Sequence, residues 1–127
     1  YLIGVVEGDI HTIGKDIVIT MLSSAGWDVV DIGEDIPVET FVQKAKEIKP
    51  DVIGAAACIC QVLDELGKLK VAIEREKLPI AYMIGGWSTG AEFAKSLGVA
   101  WGRDAVDACK IAEELLIDRK EKGIKWE

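Results

Sequence analysis

The amino-acid sequence predicts an α/β fold: a doubly wound, five-stranded parallel sheet of order 2-1-3-4-5 with helices on both faces. Three observations predict it. Five short apolar runs alternate with longer segments whose apolar residues recur at helical spacing. Gly and Pro stand at the junctions. The 127 residues, half of them hydrophobic, are enough for one compact core and leave no room for a second domain.

Leu2-Ile3-Gly4-Val5-Val6 reads as a buried strand, followed by a loop with Gly8, Asp9 and His11. Ile13, Ile17, Met21 and Ala25 recur every fourth residue, so residues 13–25 are predicted as a helix with that apolar face, ended by Gly26. Residues 27–32 form the second predicted strand. Pro37 leads into a helix carrying Phe41, Ala45 and Ile48, and Pro50 stops it. Residues 51–57 are the third strand, and Leu63, Leu66, Leu69 and Ile73 mark the third helix. The fourth strand, residues 80–84, ends at Gly85-Gly86; a short helix over 91–97 and a brief strand over 99–101 follow. The last helix opens at Asp104 and runs past Leu116 on Ala105, Ala108, Cys109, Ala112 and Leu115, and the charged stretch 118–127 is expected to fray. The domain is thus expected over residues 1–123, with a loose tail over 124–127.

A net charge of −7 argues against a nucleic-acid partner and against anionic lipid, since both need a basic face. No apolar run approaches the roughly 20 residues of a membrane span, and no signal peptide is visible. The first residue is Tyr1 instead of Met, from which a fragment trimmed at a domain boundary is expected. Three cysteines, Cys58, Cys60 and Cys109, have no paired framework; they read as small packing residues in a reducing cytoplasm. Cys58 and Cys60, two apart, would share one face of a strand.

In such a sheet ligands sit beyond the carboxyl ends of the strands, where strand order reverses. The first of these loops is Glu7-Gly8-Asp9-Ile10-His11-Thr12-Ile13-Gly14-Lys15, with the chain's only histidine. A neutral imidazole has one nitrogen free for a metal and needs an acceptor on the other; Asp9 is placed to accept. Gly8 and Gly14 allow close approach by a bulky ligand. One histidine does not make a zinc site, but it suffices for a metal whose other donors come from a macrocycle, haem or corrin. The third strand ends in Gly54-Ala55-Ala56-Ala57-Cys58-Ile59-Cys60, where a central strand normally carries bulky residues, and the fourth in Gly85-Gly86. Together they predict a slot between strands one, three and four, suited to a cofactor with a long tail. Ser88 and Thr89 either hydrogen-bond a ligand or cap the next helix. Trp87 and Trp101 lie near the rim; the other two tryptophans read as packing residues.

Asp9-x-His11-x-x-Gly14 within Glu-Gly-Asp-x-His-x-Ile-Gly-Lys resembles the signature of cobalamin-binding corrinoid methyl carriers and of the cobalamin module of methionine synthase. The resemblance extends over Asp51-Val52-Ile53-Gly54, Leu63-Asp64-Glu65, Gly85-Gly86 and Asp104-Ala105. It implies a flavodoxin-like (Rossmann-like) fold holding cobalamin base-off and His-on, with His11 as the lower axial ligand of cobalt, Asp9 hydrogen-bonded to it, and the benzimidazole tail in the slot. Cofactor contacts are implied for Gly8, Asp9, Ile10, His11, Thr12, Ile13, Gly14, Ala56, Ala57, Ile59, Cys60, Gly85, Gly86, Trp87, Trp101 and Asp104. Cobalt would cycle between Co(I) and methyl-Co(III), the protein orienting and tuning it.

The chain departs from the family where Ser or Thr usually line the third-strand end: Ala56, Cys60 and Val62 stand there. Tail binding then rests on shape, and the hydrogen-bond relay ends at Asp9 or passes to water. Trp87 stands where a small residue is common, stacking on the tail or narrowing the slot, and Thr12 replaces a frequent Asp. The resemblance implies a methyl carrier, a component of an enzyme system, working between a substrate-specific methyltransferase and one acting on tetrahydrofolate or coenzyme M, with a corrinoid-reactivating protein as a further partner. An upstream helical cap domain, usual in such carriers, is absent from this sequence. The alternatives are the cobalamin subunit of a radical mutase and a B12-sensing module. A receiver domain is set aside because the run 55–57 has no Asp, and a dinucleotide binder because Gly-x-Gly-x-x-Gly is missing.

Overall fold

The computed structural model describes residues 1–126. Its elements are β1 (Leu2–Val5), α1 (Ile13–Ser24), β2 (Val30–Asp31), α2 (Val38–Ile48), β3 (Val52–Ala56), α3 (Leu63–Arg75), β4 (Ala81–Gly85), α4 (Ala91–Leu97), β5 (Ala100–Trp101) and α5 (Ala105–Glu121), with a 3-10 turn over Cys60–Val62. The strands pair in parallel in the predicted order, β2-β1-β3-β4-β5. None of these helices is long and apolar enough to cross a membrane.

Alternation along the strands divides the core into two layers. Leu2, Ile53, Ala55 and Ile84 face Phe41, Ala45, Leu66 and Leu69 under α2 and α3. Ile3, Val52 and Met83 face Leu22, Ala108 and Ala112 under α1 and α5. This second layer holds fewer buried residues than the first, and on its side of the sheet Gly54, Ala56 and Gly85 carry little or no side chain.

Three expectations are corrected. The second strand covers only Val30–Asp31: the Trp27 N–H is still bonded to the Leu22 carbonyl at the end of α1, and the Trp27 ring packs edge-on against Tyr1 with centroids 5.8 Å apart. Helix α1 does not bury the Ile13–Ile17–Met21–Ala25 stripe. Ile13 and Ile17 are exposed, while Lys15, Val18, Ile19 and Leu22 pack inward, because the helix is apolar on two sides and only one meets the sheet. The charged stretch from Asp118 is helical to Glu121: buried Arg119 donates to the Pro79 carbonyl from Nε (3.0 Å) and Nη2 (2.8 Å) and to Asp51 Oδ1 from Nη1 (2.7 Å). Beyond it, Trp126 Nε1 donates to the Pro50 carbonyl at 2.8 Å; Glu127 lies outside the described residues.

Candidate functional site

The loop after β1 turns at Gly8, whose φ of +89° is open to glycine and strained for other residues. The Gly8 N–H donates to Asp35 Oδ1 at 2.7 Å, which fixes the turn to the neighbouring loop. The turn drives Asp9 inward, where its side chain is fully buried, and leaves His11 on the rim with 59% of its side chain exposed. Asp9 Oδ1 accepts from the His11 N–H at 3.0 Å and pairs with His11 Nδ1 at 2.7 Å; Oδ2 accepts from the Cys58 N–H at 2.6 Å. Burial pushes the Asp9 carboxyl up, but the two N–H donors and the His11 ring outweigh it and hold it below the usual carboxylate value. An ionised carboxylate only accepts, so Nδ1 carries the proton and the lone pair of the neutral ring is on Nε2.

Beside His11 a cleft of about 380 Å³ runs between the open strand ends and helices α1 and α5. That volume is in the range of small-molecule sites, about 300–1,000 Å³. Apolar side chains such as Ile3, Val18, Met83 and Trp101 line it together with Gly14, Gly54, Gly85, Gly86 and Gly102. A Cβ on Gly54 would collide with the Tyr1 hydroxyl, and one on Gly85 would meet the Gly102 carbonyl at 3.4 Å. Gly86 has φ +113°, and a Cβ there would run into the Ala57 carbonyl. Ser88 and Thr89 do not cap α4, whose N-cap Gly90 has no side-chain bond. They shape the Gly86 turn: Ser88 Oγ donates to the Ala57 carbonyl (3.0 Å), and Thr89 Oγ1 donates to the Gly86 carbonyl (2.7 Å) while accepting from Trp101 Nε1 (3.1 Å).

Of the residues singled out from the sequence, His11, Gly14, Ala56, Gly85, Gly86, Trp87, Trp101 and Asp104 line the cleft. Gly8, Asp9 and Thr12 surround or support His11, and Ile10 and Ile13 project from the same rim, both exposed. Trp87 stands at the mouth, 92% exposed, and does not narrow the interior. The third-strand end does not act as one surface. Gly54 and Ala56 face the cleft, whereas Ala57 is buried in the opposite layer with Ile59 packed against it. Cys60 sits exposed on the 3-10 turn. The strand has ended by Ala56, so Cys58 and Cys60 share no face. Sequence reasoning missed Tyr1, Lys15, Ile17 and Arg103 in the lining, and the Cys58 N–H as a clamp on Asp9. Only Lys15 carried a signal, being part of the rim motif; it is buried against Asp31 Oδ1 at 2.7 Å.

A family model described as B12 binding domain matches residues 1–110. The chain is 37% identical over 119 residues to trimethylamine corrinoid protein 1 of Methanosarcina mazei, an alignment covering 91% of this chain and 55% of that protein. Among solved structures, a novel cobalamin-binding protein from Desulfitobacterium hafniense superposes with a TM-score of 0.85 at 32% identity, over 90% of this chain and 57% of that one. The methanol:cobalamin methyltransferase complex MtaBC from Methanosarcina barkeri gives a TM-score of 0.85 at 25% identity, over 99% of this chain and 52% of that one. The chain thus spans about half the length of the relatives it matches.

Proposed function

The chain belongs to the B12-binding domain family, and from that premise we propose that it holds cobalamin base-off with His11 beneath the cobalt and carries a methyl group between two methyltransferases. One observation carries the reading: the chain's one histidine is exposed at the mouth of the cleft with Nδ1 held at 2.7 Å by a buried carboxylate, which leaves the Nε2 lone pair for a metal.

The residues fit the group. Among the described residues no three His, Cys, Asp or Glu side chains converge on a metal site, so a metal at His11 has to bring its other donors, as a corrin does. The cleft beside His11 is bordered by Gly14, Ala56, Gly85 and Gly86, which carry little or no side chain into it, and it offers a nucleotide tail an apolar space beside the histidine. The bound corrinoid supplies a cobalt centre that accepts and releases methyl groups. The chain's own part is orientation and tuning: Asp9 holds the Nδ1 proton, fixes the ring and raises its basicity, and Cys58 holds Asp9. Exposed Ile10, Ile13 and Trp87 rim the mouth and give the macrocycle an apolar seat.

The donor enzyme in this proposal is a methyltransferase for small methylated compounds such as methylamines, the acceptor enzyme acts on tetrahydrofolate or coenzyme M, and a reactivating protein restores the reduced cofactor. The relative named for trimethylamine and the methanol methyltransferase complex support the first of these. A cytoplasmic site goes with it, supported by three free cysteines.

Because His11 is the only histidine, the test is isotopic. Protein labelled with 15N-histidine and loaded with Co(II) cobalamin should show superhyperfine splitting of a 15N nucleus in its spin resonance spectrum. A splitting unchanged by the label would place benzimidazole on the cobalt and overturn the assignment.

A further inference from the structure

At the floor of the cleft, Tyr1 lays its ring across the space that Gly54 leaves open, with the hydroxyl over the Gly54 Cα. Gly54 is paired with Ile3 on one side and Met83 on the other, deep in the sheet. The other polar side chains of the lining sit higher and are paired or near solvent. Lys15 bonds Asp31, Thr89 bonds the Gly86 carbonyl and Trp101, Asp104 caps α5 through the Asp107 N–H, and Arg103 is exposed.

The Tyr1 side chain takes part in none of the side-chain hydrogen bonds among the described residues, although the residue is only 7% exposed. No fully sealed side-chain nitrogen or oxygen there lacks a partner, so this hydroxyl is not sealed: it opens onto the cleft. Burial, and then the Cys109 thiol nearby, push the phenol well above its usual pKa, so it keeps its proton. A hydroxyl that opens onto an apolar cleft and makes no bond to the protein is a donor placed for an acceptor on a ligand.

We propose that the Tyr1 hydroxyl donates a hydrogen bond to the base of the cobalamin tail, at the ring nitrogen that binding by His11 displaces from cobalt. The inference rests on the cobalamin reading above. Once off the metal, that nitrogen is an acceptor buried in an apolar slot, and Ala56 on the cleft wall has no donor to offer it. Tyr1 is then a specificity-determining residue for the lower base, favouring bases with a free ring nitrogen.

The test compares the chain and Tyr1→Phe, titrated spectroscopically with cobalamin and with cobinamide, which lacks the nucleotide tail. Phe keeps the ring against Gly54 and Trp27 and removes only the hydroxyl. We expect Tyr1→Phe to weaken cobalamin binding by about 2- to 12-fold, the range of one net hydrogen bond, and to leave cobinamide binding unchanged. Equal cobalamin affinity in both proteins, or equal weakening for both ligands, overturns the role of Tyr1 and leaves the cobalamin reading standing. Wild-type protein that binds neither corrinoid overturns that reading itself. Wild type that binds both equally overturns the buried tail, and the proposal with it.

Discussion

The Cys58 N–H donates to Oδ2 of Asp9 at 2.6 Å, so the carboxylate that orients His11 is itself tied to the chain just past β3, 49 residues further on. Both oxygens of Asp9 are occupied, by the His11 N–H, His11 Nδ1 and the Cys58 N–H. Asp9→Asn has to turn its NH2 toward one of these donors. The expected loss is about 1–3 kcal/mol of stability, from a donor left unpaired in a buried site, measured by urea unfolding of the cofactor-free protein. Cobalamin affinity should fall by about 10–100-fold, the usual size for a partner that orients a metal-binding histidine.

Acid unfolding provides an independent check on the same carboxylate. Burial raises the Asp9 pKa, but its hydrogen bonds to His11 and Cys58 more than offset that, and the folded value lies below the unfolded one. A group depressed in the folded state contributes stability that is present above the unfolded value, about 3.9 for Asp, and is lost as pH falls through the folded value. The wild-type protein should therefore lose stability faster than Asp9→Asn as pH drops below about 4, and the two curves should converge. Parallel curves over that window would mean that Asp9 is not stabilised as a carboxylate.

Much of this was legible in the residues. The alternation of apolar runs with helical segments, joined by right-handed crossovers, leaves few topologies, and the observed strand order is the one predicted. A single histidine two residues after an aspartate, between glycines, marked the rim loop. What stayed hidden depends on contacts distant in sequence. The open space at Gly54 could be read, but not that Tyr1 reaches across it. Helix α1 has apolar residues on two sides, and composition does not say which side meets the sheet. Arg119 looked like one charge in a charged tail because its partners, Pro79 and Asp51, lie 40 and 68 residues away.

Arg119 ties the last helix to the chain just before β3 and β4, at the end of the sheet opposite His11. Its guanidinium is buried, and Asp51 is half exposed. Arg119→Ala leaves the Pro79 carbonyl and Asp51 without this donor. A loss of about 1.5–3 kcal/mol is expected, the scale of hydrogen bonds to a charged group, read from thermal unfolding. Arg119→Lys should recover only part of it, because an ammonium cannot reproduce the planar fork. Cobalamin affinity should not change in either variant.

Two glycines of the cleft, Gly14 and Gly86, should respond in opposite ways, and the contrast separates backbone need from ligand need. Gly86 has φ +113°, and a Cβ there strikes the Ala57 backbone. Gly86→Ala should destabilise the cofactor-free protein by about 1–3 kcal/mol through strain alone. Gly14 lies in the first turn of α1, and a methyl group at that position would meet no protein atom within 4 Å. Gly14→Ala should raise the stability of the cofactor-free protein by up to about 1 kcal/mol, because Ala is the better helix former. Yet Gly14 lines the cleft beside His11, so the same methyl enters the space proposed for the cofactor. The variant should be more stable when empty and bind cobalamin more weakly, a reversal that calorimetric melting with and without the cofactor would expose. If it melts higher in both states, the space in front of Gly14 is not used by the corrinoid.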